Sequence, residues 1–98
     1  MIYAVMFEDD DSKAHMRSQH MPAHLAFLAA NAGAVRAAGP LLDGAADTPA
    51  GGLWLVEAAD ADAVQALVEA DPFWPTGLRK GVRILAWRQV FADGERLI

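Results

Sequence analysis

The 98-residue sequence predicts an α+β fold of the ferredoxin-like kind, with two helices on one face of a four-stranded antiparallel sheet. The main observation is the order of the patterns along the chain, which is strand, helix, strand, strand, helix, strand. The composition, with 54% apolar and 21% charged residues, supports a packed core. Because there are no repeats or linkers and the length suits one core, we expect a single domain over residues 1–98.

The first half of the chain contains one strand and a helical region. Residues 2–7 (IYAVMF) predict a strand that ends at an acidic cluster. Ser12 is placed to cap a short helical stretch that ends near Arg17, and Pro22 suits the first turn of a second stretch that ends at Gly33. The apolar face predicted for that second stretch consists of Met21, Leu25, Leu28 and Ala32.

The second half supplies the remaining elements. Residues 34–43 predict a strand with a bulge or edge position at Gly39-Pro40, and residues 43–52 form a polar loop into a strand over 53–58. Asp60 is a natural N-cap for a helix over 61–70, which the prolines that follow would end. Residues 82–91 predict the last strand, and Asp93-Gly94 predicts a turn.

Charge and composition exclude several classes of function. The net charge of −5 argues against nucleic acid, and the basic stretch LRKGVR (78–83) is interpreted as a solvated turn. Cysteine is absent, so disulfides, thiolate metal sites and cysteine nucleophiles are excluded. The N-terminus has no basic lead and no apolar run is long enough for a membrane helix, so we expect a soluble, cytoplasmic protein.

The strands are apolar on both faces, which bears on assembly. Ile2, Ala4 and Met6 would face one side of the sheet, and Tyr3, Val5 and Phe7 the other. Two helices cover one face only, and Trp54 and Trp87 are candidates for the uncovered one. A homodimer that packs sheet to sheet would bury that face; a monomer with its C-terminal tail over the sheet is the alternative.

His24 is the candidate acid–base residue among the three histidines. It lies beside the apolar helix face, at the boundary of core and solvent, whereas His15 and His20 are expected in solvated positions. His20 would sit at or before the helix start, so the i, i+4 geometry for two metal ligands would fail, and we predict no metal site.

Asp71 is the candidate partner of His24. It occupies the next position on the apolar face of the second helix, where a carboxylate is costly unless it is paired. It could cap the DPFW turn, or it could meet His24, fix the tautomer of the imidazole and strengthen it as a base. Asp43, at the end of the second strand, could compete for His24.

Other chemistries find little support in the sequence. None of the serines and threonines lies in a nucleophile-elbow context, and no glycine-rich phosphate loop is present, because Gly51-Gly52 is interpreted as a turn into a strand. The aromatic residues are interpreted as packing rather than as a ligand cage. They are Trp54, Phe73, Trp74 and Trp87.

Three motifs together resemble the YciI-like (YCII-related) family: PAHLAFL (22–28), AAGPLLD (37–43) and EADPFWPTGL (69–78), followed by a strand that ends in Trp. The resemblance runs from the first strand to about Phe91. It implies a dimeric α+β barrel, in which two sheets pack face to face, and a His–Asp pair that falls on His24 and Asp71. Met21 stands where similar proteins often carry arginine, and Arg17 could reach the same area.

The resemblance also implies a class of chemistry, since a few relatives remove chloride from a chlorinated ring-cleavage product. We therefore expect a small cofactor-free enzyme of the proton-transfer or lyase type, acting on a small organic acid. His24 and Asp71 would be catalytic, and the predicted substrate-binding residues are Arg17, Gly39, Pro40 and Phe73. The alternatives are a non-catalytic small-molecule binding or accessory module and, further off, a cofactor-free monooxygenase of the dimeric α+β barrel type.

Overall fold

The computed structural model describes residues 1–45 and 47–98 and confirms the predicted order of elements. Two short 3-10 turns, Asp11–Lys13 and Trp74–Thr76, precede α1 and β4, and the chain ends in a small hairpin. The elements are β1 Ile2–Asp9, α1 His15–Ala30, β2 Val35–Asp43, β3 Thr48–Glu57, α2 Ala61–Ala70, β4 Arg79–Trp87, β5 Phe91–Ala92 and β6 Glu95–Arg96.

The main sheet has the order β2-β3-β1-β4, with all neighbours antiparallel, which is the ferredoxin-like arrangement. Strand β2 lies at the edge and its register shifts between Pro40 and Leu42, so the predicted edge position and bulge are both confirmed. The core lies between the sheet and the helices. Its buried members are Val5, Phe7, Trp54, Val56, Val64 and Val68.

The uncovered face of the sheet is apolar, as predicted, but Trp54 does not belong to it. Trp54 pairs with Val5 across β1 and β3 and therefore shares the helix-covered face, where it is 2% exposed. Trp87 pairs with Ile2 on the open face and is 43% exposed. Strand alternation thus places the two tryptophans on opposite faces, and the prediction for the uncovered face is wrong for Trp54 and confirmed for Trp87.

Helix α1 is one continuous helix with Pro22 inside it, so the prediction of two helical stretches is wrong. Proline has no backbone N–H, so Pro22 cannot donate the usual helical hydrogen bond, yet α1 continues past it. The predicted apolar face is wrong as well, because Leu25 is 55% exposed and His24 is the buried residue of α1. At the preceding turn Asp10, rather than Ser12, is the cap: its carboxylate accepts the Ser12 N–H at 3.0 Å.

Two strand boundaries also differ from the predictions. Strand β3 begins at Thr48, within the predicted loop 43–52, of which Ala46 lies outside the described residues. Gly51 and Gly52 are therefore strand residues rather than a turn. Gly51 has φ +100°, and a Cβ there would lie 2.3 Å from the Phe7 carbonyl oxygen, so only glycine lets β3 approach β1 this closely.

Strand β4 spans Arg79–Trp87 instead of 82–91, while the turn predicted at Asp93-Gly94 joins β5 to β6. Asp60 accepts the Ala63 N–H at 2.8 Å, which confirms the predicted cap of α2. Over the described residues, neither helix is long and apolar enough to cross a membrane.

Candidate active site

His24 is buried and contacts both Phe73 and Asp71. The fold buries it to 7% exposure, and its ring stacks on Phe73 with the centroids 4.1 Å apart and the planes 16° from parallel. Its Nδ1 lies 2.9 Å from Oδ1 of Asp71. Because an ionised carboxylate can only accept, Nδ1 carries a hydrogen, and in the neutral form of the imidazole Nε2 then has the free lone pair.

Asp71 ends α2 and is 1% exposed. Its Oδ1 also accepts the Phe73 N–H at 3.1 Å, and its Oδ2 accepts from Nη1 of Arg79 at 2.6 Å. Burial by itself would raise the pKa of Asp71, but the His24 hydrogen bond, the Arg79 charge and the Phe73 N–H together hold that pKa below its ordinary value of 3.8. Asp71 is thus an ionised, fully engaged carboxylate that caps the DPFW turn and pairs with His24 at once.

Arg79 was missed by the sequence analysis, which placed it in a solvated turn; that interpretation is wrong. It begins β4, its side chain is 6% exposed, and its guanidinium lies 3.9 Å from the centroid of the Phe7 ring. Burial lowers the pKa of Arg79, an effect opposed by Asp71 and Asp9. The signal that could have found it is Asp71 itself, since a buried carboxylate requires a nearby cation.

His24, Phe73 and Arg79 line a cavity of about 170 Å³, and Asp71 contacts them from outside its lining. No described residue bonds to Nε2 of His24, and no buried side-chain nitrogen of the described chain lacks a partner, so Nε2 retains contact with solvent in the cavity. The walls combine large apolar side chains with small backbone-lined positions. The large apolar residues include Phe7, Leu28, Trp54, Phe73 and Leu78. The small or backbone-lined positions are Gly39, Pro40, Gly51 and Gly52.

A second ion pair stands at the edge of this cavity. Arg17 of α1 donates through Nη2 to Oδ2 of Asp9, at the end of β1. Both residues also line a wider neighbouring cavity of about 550 Å³, which is bordered by the acidic segment after β1. The Arg17–Asp9 pair is therefore shared by the walls of the two cavities.

The comparisons with known proteins agree with this architecture. The family model of the YCII-related domain matches residues 1–88. The chain belongs to the YCII-related family. Among solved structures, this YCII-related protein is similar to 5-chloro-2-hydroxyhydroquinone dehydrochlorinase (TftG) from Burkholderia phenoliruptrix AC1100, in complex with 2,5-dihydroxybenzoquinone. The two share 26% identity and a TM-score of 0.77, over 90% of this chain and 94% of the other. No curated protein matches the chain.

The structure brings most of the predicted site residues of this YCII-related protein to one place. His24 and Asp71 are hydrogen-bonded to each other. The four residues predicted to bind substrate all line the cavity; they are Arg17, Gly39, Pro40 and Phe73. Two aromatics interpreted as packing, Trp54 and Phe73, line it too, so they serve the core and the cavity together.

The competing groups lie elsewhere. Asp43 is exposed and its carboxylate accepts the Ala45 N–H at 3.2 Å, so it does not meet His24. His20 lies inside α1, four residues before His24, so the prediction that it sits at or before the helix start is wrong. In the described residues, however, no three His, Asp or Glu side chains are grouped as metal ligands.

Proposed function

We propose that this YCII-related protein is a small acid–base enzyme of the lyase type, in which Nε2 of His24 takes a proton from a small organic acid. The observation that carries the proposal is a buried hydrogen-bonded chain of three residues: His24, which lines the cavity, bonds to Asp71, and Asp71 bonds to Arg79. Asp71 holds the imidazole in the tautomer that leaves Nε2 as the base. A base positioned in this way contributes roughly 10²–10⁴-fold in rate.

The charges around the cavity suit this reaction. Arg79 balances Asp71, and Arg17 balances Asp9, so the site with a neutral imidazole has no net charge. When His24 takes a proton, the imidazolium adds one positive charge beside a substrate that has just become an anion. The two new charges compensate one another in a poorly solvated site, where they attract strongly.

The neighbour suggests the substrate class, a hydroxylated ring with a leaving group. Loss of HCl from a chlorinated hydroxyhydroquinone leaves a hydroxybenzoquinone: two hydroxyl protons leave oxygen, one ends on the carbon that carried chlorine, and the other departs with chloride. One imidazole can move the first proton, as base for a hydroxyl and then as acid for the ring carbon, and it is then neutral again and can accept the second hydroxyl proton as the C–Cl bond breaks and chloride leaves. The stacked Phe73 and the apolar walls provide a surface for such a planar ring.

The test is chloride release from 5-chloro-2-hydroxyhydroquinone and related chlorinated phenols, measured for the native protein and for His24→Gln. We expect turnover in the native protein and a fall of about 10²–10⁴-fold in the variant. His20→Gln is the matched control, since it makes the same change one turn earlier in α1 and should retain full activity. Binding of these compounds without any release or conversion would contradict the proposal and favour the binding module.

We further propose that the protein acts as a homodimer through the open face of the sheet. That face carries Met6, Leu85 and Trp87 in exposed positions, and soluble proteins seldom leave so much contiguous apolar surface in water. The assay is sedimentation equilibrium, in which we expect twice the 10.5 kDa of one chain. Leu85→Lys should shift the protein to monomer, and a native protein that is monomeric at micromolar concentration would refute the dimer.

A further inference from the structure

Arg79 has more hydrogen-bonding capacity than its contacts in the fold use. A guanidinium has five N–H donors, and here Nη1 donates to Asp71. No acceptor from the described chain bonds to Nε or Nη2, yet no buried side-chain nitrogen there lacks a partner. Both nitrogens therefore keep accessible surface, even though the side chain as a whole is only 6% exposed.

Arg79 lines the same cavity as His24, and it does not line the larger neighbouring cavity. The stacking of its guanidinium on Phe7 and the bond to Asp71 hold the plane of the group in place. A fixed cation in a poorly solvated pocket costs little reorganisation when it receives an anion, and it binds that anion more strongly than a mobile surface cation does.

We propose that Arg79 is the oxyanion-binding residue of this site: one edge of its guanidinium holds Asp71, and the remaining N–H groups hold the negatively charged oxygen that forms when His24 takes a proton. The inference rests on the proposed function and extends it. It assigns the substrate class as planar rings whose acidic hydroxyl becomes an enolate or phenolate. It also makes Arg79 a catalytic residue, since it would touch the reacting oxygen.

The two roles of Arg79 complicate a simple substitution, because loss of the cation leaves Asp71 buried and unbalanced. The test therefore uses the background Asp71→Asn, in which no carboxylate remains to be balanced. Within that background, Asp71→Asn alone is compared with the double variant Asp71→Asn/Arg79→Gln. The difference in ligand affinity then reports on Arg79 and the ligand, and circular dichroism verifies that both proteins are folded. Because Arg79 lacks its counter-charge in Asp71→Asn, the native protein is titrated as well and should show the same preference for an anionic over an uncharged ligand.

The probe is 2,5-dihydroxybenzoquinone, whose hydroxyls are vinylogous acids and ionise in neutral water, and its uncharged counterpart is hydroquinone. Titration calorimetry at pH 7 should show at least about tenfold weaker binding of the anion in the double variant, or about 1.4 kcal/mol. Hydroquinone affinity should change by less than about threefold. Arg88→Gln, which removes the same charge at an exposed position directly after β4 and outside the cavity lining, is the matched control and should leave both affinities unchanged.

The outcomes separate this inference from the proposed function. Equal anion affinity with and without Arg79, or equal losses for the anion and hydroquinone, would overturn the oxyanion role while turnover could still depend on His24. Arg79-dependent anion binding in a protein that releases no chloride would support the oxyanion role and refute the lyase reaction.

Discussion

The Asp71–Arg79 pair is expected to contribute more to stability than a surface ion pair, and a double-mutant cycle measures how much. The side chains of Asp71 and Arg79 are 0% and 6% exposed, and Oδ2 and Nη1 are 2.6 Å apart. Removing one partner of a buried pair costs about 3–5 kcal/mol, because the other charge is left uncompensated. Arg79→Gln is therefore expected to be severely destabilised, whereas Asp71→Asn/Arg79→Gln should lose much less than the sum of the single changes.

The assay is urea unfolding followed by tryptophan fluorescence at pH 7, with the protomer concentration fixed because association would alter the apparent stability. For m-values of about 1–3 kcal/mol/M, a loss of 3 kcal/mol lowers the midpoint by roughly 1–3 M. The cycle should give a coupling free energy of at least about 2 kcal/mol. A coupling below about 1 kcal/mol, the range of exposed pairs, would refute the claim that this pair is buried and tightly matched.

Three further outcomes follow from the same structure. Because the pKa of Asp71 is depressed in the folded state, its stabilising contribution is complete above the ordinary value of 3.8 and is lost as the pH falls below it; unfolding curves of Asp71→Asn should lack that acid-dependent part. Gly51→Ala should cost more than about 2 kcal/mol in urea unfolding, since a Cβ at φ +100° meets the Phe7 carbonyl, whereas Gly33→Ala has open space and should stay within about 0.5 kcal/mol. Asp43→Asn should leave chloride release unchanged, and a loss like that of Asp71→Asn would contradict the assigned pairing.

The order of elements could be predicted from the sequence because it has local signals, whereas the His24–Asp71 contact was implied by the family resemblance, since the residues alone left Asp71 as a turn cap or as the partner of His24. Strand and helix patterns, the cap at Asp60 and a carboxylate on an apolar helix face are all visible in short windows of sequence. The exact face of α1 could not be predicted, because tertiary contacts decide it. His24 is the buried residue of α1, beside Phe73 and Asp71, while Leu25 is 55% exposed although it lines the cavity.

Arg79 shows the second limit of the sequence. Its neighbours along the chain are basic and glycine residues that indicate a turn, while its partners come from β1, β3 and the end of α2. Cross-strand register alone brings β4 beside Phe7 and Asp9. The cation that balances Asp71 therefore depends on sheet pairing, which no local pattern specifies.

The most direct test of the account is the tautomer of His24, read from the imidazole ¹⁵N shifts at about pH 9, where ordinary histidines are neutral. We predict the Nδ1–H form for His24 in the native protein and in Asp43→Asn. In Asp71→Asn that preference should weaken, because the amide offers one oxygen to donors from His24, Phe73 and Arg79. A native His24 in the Nε2–H form, or one that does not respond to Asp71→Asn, would contradict the central claim that Asp71 prepares Nε2 as the base.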